Sequence, residues 1–214
     1  MSKVKVKRKQ TLGEEIANAV SHGIGALLGI AGTAVLIVYA AIYSDVWGIV
    51  SAALYGGTLI LLYTFSTLYH SITHTKAKGV LQIFDHCSIF LLIFGTYIPV
   101  CLSLMRNWLG WVLFGINAAC AVIGVVLNSI DIQKFKKFSM VLYIVMGWSV
   151  LMMAQPVFKK LDILGGTFLV IGGILYTLGI IFYKSKRKYM HFIWHFFVLG
   201  GSIFHYFFVM ITCL

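Results

Sequence analysis

Seven apolar stretches of about 20 residues or more divide the chain, each closed by a short polar or basic turn, and this pattern limits the fold more than any motif does. They run approximately Ile16 to Tyr43, Val46 to Tyr69, Leu81 to Met105, Trp108 to Ser129, Phe138 to Val157, Ile163 to Tyr183 and His191 to Leu214. About 20 residues is the helical length that crosses roughly 30 Å of hydrocarbon. Lipid offers backbone N–H and C=O groups no outside partner, so such a segment pairs them internally as a helix. With 60% of its 214 residues hydrophobic and 11% charged, and a mean hydropathy of +0.95, the chain has too little polar surface for a soluble domain. The expected fold class is an all-α integral membrane protein, a seven-transmembrane-helix bundle. Residues 1–15 read as a basic amino-terminal segment and 16–214 as one transmembrane domain. The expected location is the cell membrane, with multiple passes.

Lysine and arginine set the orientation, because cytoplasmic loops retain positive charge. Lys3, Lys5, Lys7, Arg8 and Lys9 precede the first stretch; Lys76 and Lys78 follow the second; Lys134, Lys136 and Lys137 follow the fourth; Lys184, Lys186, Arg187 and Lys188 follow the sixth. Of the 17 basic residues, only Arg106, Lys159 and Lys160 fall on the other side. The amino terminus is therefore expected in the cytoplasm and the carboxyl terminus outside. The same asymmetry accounts for the net charge of +11: the charges are spread over short loops, where topology and anionic headgroups explain them, and nucleic acid is not an expected partner. The basic start resembles a signal peptide, but its apolar run is too long and Glu14 and Glu15 interrupt its beginning, so a retained first span is expected. Cys87, Cys101, Cys120 and Cys213 lack CxxC spacing and lie within spans, where thiols behave as small apolar groups. The glycine pairs Gly56-Gly57, Gly165-Gly166, Gly172-Gly173 and Gly200-Gly201 suit close helix contact.

Ionisable residues inside a membrane are costly, so each is a candidate for function. Span two ends in FSTLYHSITH, with Ser66, His70 and His74 one turn apart; span three opens in QIFDHCS, with Asp85 and His86; span seven opens in HFIWH, with His191 and His195. Three helices thus bring histidine or aspartate to one depth of one leaflet. Histidines at i and i+4 are about 40° apart on a helix and can share an ion. A third ligand from another helix makes three nitrogens, and a fourth position left for water distinguishes a catalytic zinc site from a closed structural one.

This arrangement resembles the hemolysin III proteins, which belong with the progestin and adipoQ receptors and, more distantly, the alkaline ceramidases. The resemblance rests on SxxxH in span two (Ser66, His70), the aspartate opening span three (Asp85) and HxxxH opening span seven (His191, His195). EIANAVSHG in span one is also similar to the family's ExxNxxSH, through Glu15, Asn18, Ser21 and His22. The resemblance covers nearly the whole chain. It implies Zn2+ held by His70, His191 and His195, with Asp85 touching the metal through a water and Ser66 beside it as the catalytic pair. The implied chemistry is hydrolysis of a lipid amide or related acyl bond, with membrane lipids as partners and a lipid as substrate or ligand.

The other polar groups have plainer readings. His74 is followed by a basic loop and faces water. His86 points about 100° from Asp85 and suits an interface. His205 stands roughly 21 Å beyond His191 and suits a buried hydrogen bond or a cavity wall. Glu15, Asn18 and His22 form a stripe that either surrounds the site or fixes helix packing. Three function classes remain open: a zinc-dependent lipid hydrolase, a non-enzymatic lipid receptor or stress sensor with structural zinc, and a cytolytic protein of the hemolysin type. The last sits poorly with a chain that has seven apolar spans.

Overall fold

The computed structural model describes residues 10–214. Lys3, Lys5, Lys7, Arg8 and Lys9, on which part of the expected orientation rests, lie outside the described residues. The described residues are helical throughout, with no strand, and six of the helices are long and apolar enough to cross a membrane. In chain order these are α1 (Leu12–Tyr43), α2 (Val46–Ser71), α3 (Thr75–Pro99, prolonged by a π-helical turn at Val100–Leu104), α4 (Trp108–Gly147), α6 (Ile163–Lys184) and α7 (Met190–Phe208). The short α5 (Ala154–Phe158) follows a 3-10 turn at Ser149–Met153. Large apolar side chains such as Leu27, Val38, Ile130 and Ile163 remain exposed around the outside, as expected where lipid is the solvent.

Local chemistry fixes the ends. Thr11 and Glu14 form a reciprocal capping box that starts α1 at Leu12, satisfying two of the first-turn donors. Asp45 caps α2 through Trp47 N and Gly48 N. Asn107 caps α4 and Asp162 caps α6.

The sequence separates spans ending at Ser129 and beginning at Phe138, whereas the structure runs α4 through both with a single break. Asp131 alone leaves helical geometry, at φ −162° and ψ 100°, and its Oδ1 accepts from Gln133 N and Lys134 N at 2.9 Å each. A cap inside the chain thus restarts the helix. Asn117 donates to Ser149 Oγ at 2.9 Å, although 32 residues of straight helix would separate them by roughly 48 Å. The two arms of α4 therefore fold back on each other at Asp131. Where the second arm loosens, Tyr97 takes its orphaned backbone groups: the hydroxyl donates to Gly147 O at 2.9 Å and accepts from Val150 N at 3.0 Å.

Only one member of the Gly56-Gly57 pair is used as the sequence suggests. A Cβ on Gly56 would collide with Thr33 of α1, while one on Gly57 would meet nothing. The tightest position is outside the pairs. A Cβ on Gly110 would strike the carbonyl oxygen of Met105 and lie 3.0 Å from that of Cys101, and backbone cannot rotate away as a side chain can. Gly110→Ala is expected to destabilise the bundle by about 1–3 kcal/mol, read as a lower thermal midpoint in detergent, with Gly57→Ala as the neutral control.

At the end of the bundle remote from the histidines, Arg106 Nη1 donates to Asp45 Oδ2 at 2.6 Å. This hydrogen bond and the capping N–H groups hold the Asp45 carboxyl below its ordinary value. A carboxyl lowered on folding stabilises above its unfolded pKa, about 4, and loses that contribution as pH falls through the folded value. Because the pair is exposed, the effect is small. The thermal midpoints of wild type and Asp45→Asn are expected to differ at neutral pH and to converge on acidification below about pH 4.

Candidate metal centre

His70 enters the site from the end of α2, His191 and His195 from the first turns of α7. Tyr189, which precedes α7, is the only non-glycine among the described residues with positive φ, at 61°. Its backbone N–H donates to Glu14 Oε1 at 2.9 Å, so the capping carboxylate of α1 also fixes where α7 begins. One ring nitrogen from each of His70, His191 and His195 lies within 4.8 Å of the others. His191 Nε2 and His70 Nε2 are 3.3 Å apart. Two nitrogens each about 2.05 Å from a tetrahedral zinc would be separated by roughly 3.3 Å.

The opposite faces of the rings are held by α1. His70 Nδ1 lies 2.7 Å from Glu15 Oε2 and 3.4 Å from Asn18 Nδ2. Glu15 also pairs with Lys78 at 3.1 Å. His195 Nδ1 lies 2.9 Å from Ser21 Oγ, whose hydroxyl is also within 2.9 Å of Asn18 O. The His22 ring stacks on His195, with centroids 3.5 Å apart and planes at 12°. With Nδ1 donating to the carboxylate, His70 turns a lone pair inward at Nε2, the usual way a ligating imidazole is oriented. His195 is fully buried and its Nε2 has no hydrogen-bond partner. A buried nitrogen in that condition is costly unless something meets its lone pair, and the donor set fits a metal ion.

The stripe of Glu15, Asn18 and His22 therefore surrounds the histidines, and Ser21, to which no role was given from sequence, joins it. The signal was the ExxNxxSH spacing, which puts all four on the face of α1 turned toward α2 and α7. If Glu15 orients His70, Glu15→Gln should weaken metal affinity by about 10–100-fold without unfolding the protein; competition against a chromogenic chelator would measure it.

Asp85 is buried on α3 and lies 3.5 Å from His86 Nδ1; both line a cavity of about 160 Å³ within the bundle, as does His22. Ser66 is buried one turn before His70. His86 makes a local contact, Nδ1 to Gln82 O at 3.0 Å. His205 combines the two roles foreseen for it, placing Nε2 3.2 Å from Leu169 O and lining the cavity. His74 is exposed and caps α3 through Ala77 N, so His74→Ala should leave the metal content of the purified protein unchanged.

Fold and site together define an all-helical, multi-pass integral membrane protein with a cluster of three histidines, two of them buried and His191 half-buried, that could hold a metal ion. The haemolysin-III related family matches residues 10–206. Over 204 residues the chain is 44% identical to the "Hemolysin-3 homolog" of Bacillus subtilis (strain 168), covering 95% of this chain and 96% of that protein. It is 41% identical over 211 residues to "Hemolysin-3" of Bacillus cereus, covering 98% and 96%. The human "Monocyte to macrophage differentiation factor", a relative among the progestin and adipoQ receptors, is 28% identical over 215 residues, covering 93% and 84%. The chain belongs to the haemolysin-III related family.

Proposed function

We propose that this protein binds Zn2+ through His70, His191 and His195 near the cytoplasmic face of a seven-span bundle and hydrolyses a lipid amide or related acyl bond. The observation that carries the metal is the inward Nε2 of His195, buried and unpartnered while its Nδ1 meets Ser21. Three imidazoles favour zinc over the hard cations. Seven spans follow if each arm of α4 crosses separately, because its 40 residues extend about 60 Å, twice the hydrocarbon thickness. The distribution of Lys and Arg favours an amino terminus in the cytoplasm and a carboxyl terminus outside.

When bound by three nitrogens, zinc supplies a water that ionises near neutral pH and a Lewis acid for a carbonyl. The carboxylate of Asp85, buried at the cavity wall, takes the proton of the attacking water and returns it to the leaving amine. The hydroxyl of Ser66 donates to the oxygen that gains charge. Apolar walls such as Ile93, Val150 and Leu169 receive an acyl chain and exclude bulk water.

A second reading is favoured by the 3.3 Å approach of His70 on α2 to His191 on α7: an ion there would staple two helices of a lipid receptor or stress sensor without turnover. Lysis, carried by the name of the Bacillus cereus relative, would follow here from altered membrane lipids. Fatty-acid release from a panel of lipid amides by zinc-loaded protein separates the readings. Release that stops on chelation and returns with Zn2+ is the expected result. No release by folded, zinc-loaded protein would leave the staple.

A further inference from the structure

We propose that the histidine-side end of the cavity binds the phosphate of an anionic phospholipid whose acyl chain lies along the apolar remainder. This specifies the lipid of the proposed function and rests on the lipid part of that reading, not on its metal. The two ends of the cavity differ in chemistry. Toward Val150 and Leu169 its wall is mainly apolar and, among the described residues, holds no Lys, Arg, Asp or Glu, with His205 held 3.2 Å from Leu169 O and the Tyr97 hydroxyl taken by Val150 N. Toward the histidine cluster it carries Lys136, His86, Asn128 and Ser139. Lys136 stands 5.0 Å above the ring of Tyr183, itself 6.1 Å from His191, so the charge lies at the level of the metal centre.

The wall comes mainly from α3, the second arm of α4, α6 and α7, and the second arm of α4 and the end of α6 are the parts whose neighbouring sequence is basic. Lys134 and Lys137 flank Lys136; Lys184, Lys186, Arg187 and Lys188 follow Tyr183. Asp85, the acidic residue of this wall, lies 3.5 Å from His86 Nδ1. Ser139 donates to Asn128 Oδ1 at 2.7 Å, and Asn128 Nδ2 to Tyr143 OH at 3.4 Å, which fixes a polar floor beneath the lysine. An apolar channel ending in a basic mouth complements a ligand with a long tail and a net negative head. Phosphate, with several acceptor oxygens, takes the Lys136 ammonium together with the second N–H of the Asn128 amide, since the Ser139 and Tyr143 hydroxyls already donate to Asn128 Oδ1 and His86 O.

Trp148 and Trp194 line the cavity, so the full chain reports occupancy when reconstituted with phospholipids brominated on their acyl chains. The cavity component is the quenching lost in Trp148→Phe. Brominated phosphatidylglycerol should half-quench it at about fivefold lower mole fraction than brominated phosphatidylcholine, the contribution of one lysine near a membrane surface. The preference should vanish in Lys136→Gln and persist in Lys137→Gln, an exposed neighbour outside the lining, and in His191→Ala. Equal quenching by the two lipids overturns the proposal. So does a preference that survives Lys136→Gln, and so does one also lost in Lys137→Gln, which reports general surface attraction. Displacement by soluble glycerol phosphate would make the site one for free phosphate and overturn it as well. Because His191→Ala removes a metal ligand and not the lysine, failure of the lipid subsite and failure of the metal reading give different patterns.

Discussion

Asp85→Asn is expected to retain about one zinc per chain while lowering lipid-amide hydrolysis by about 10²–10⁴-fold, the usual contribution of a positioned proton-transfer group. Asparagine keeps the volume of the buried side chain and can still meet His86, now 3.5 Å from Asp85, so the bundle should fold. What it loses is the ability to hold a proton. If turnover falls and zinc stays, the carboxylate acts in the chemistry. If turnover is unchanged, its part is limited to positioning His86. A fall in zinc as well would place Asp85 among the groups that retain the metal. Metal content and initial rate measured on one preparation distinguish the three outcomes.

His195→Ala is expected to affect binding and stability together. It removes one of three nitrogens, and metal affinity should fall by more than the 10–100-fold typical of losing an outer hydrogen bond. It also empties a fully buried site, leaving Ser21 Oγ without the ring 2.9 Å away and His22 without its stacking partner. By comparison with large-to-alanine changes elsewhere, this costs about 2–5 kcal/mol. His195→Gln separates the effects, since it retains most of the volume and a polar end without the imidazole. It should unfold near the temperature of zinc-free wild type and still fail to retain zinc. Elemental analysis and thermal unfolding in the same detergent provide both readings.

The helical membrane fold was legible because length and hydropathy alone force it. The cluster of His70, His191 and His195 was legible because burying histidine in lipid needs a reason, and positive loops suggested that the ends of α2 and α7 that carry them lie together. What stayed hidden depended on contacts across helices. Nothing in the order Glu15, Asn18, Ser21 reveals that the first meets His70 and the last His195; that follows from how α1 packs against α2 and α7. The continuation of α4 across Asp131 was hidden for another reason. The lysines at 134, 136 and 137 look like a loop, and only the Asp131 cap shows that the helix restarts at once. Likewise the loosening after Gly147 is tolerated because the Tyr97 hydroxyl of α3 supplies the missing partners.

The most direct measurement is elemental analysis by mass spectrometry of the wild-type protein, purified in detergent without added metal and verified as folded by its thermal transition. About one zinc per chain, lost on prolonged chelation and restored by Zn2+, is the result expected from three imidazoles converging around the unpartnered Nε2 of His195. Folded protein that contains no zinc and takes up none when it is offered would contradict the metal centre and the hydrolysis built on it.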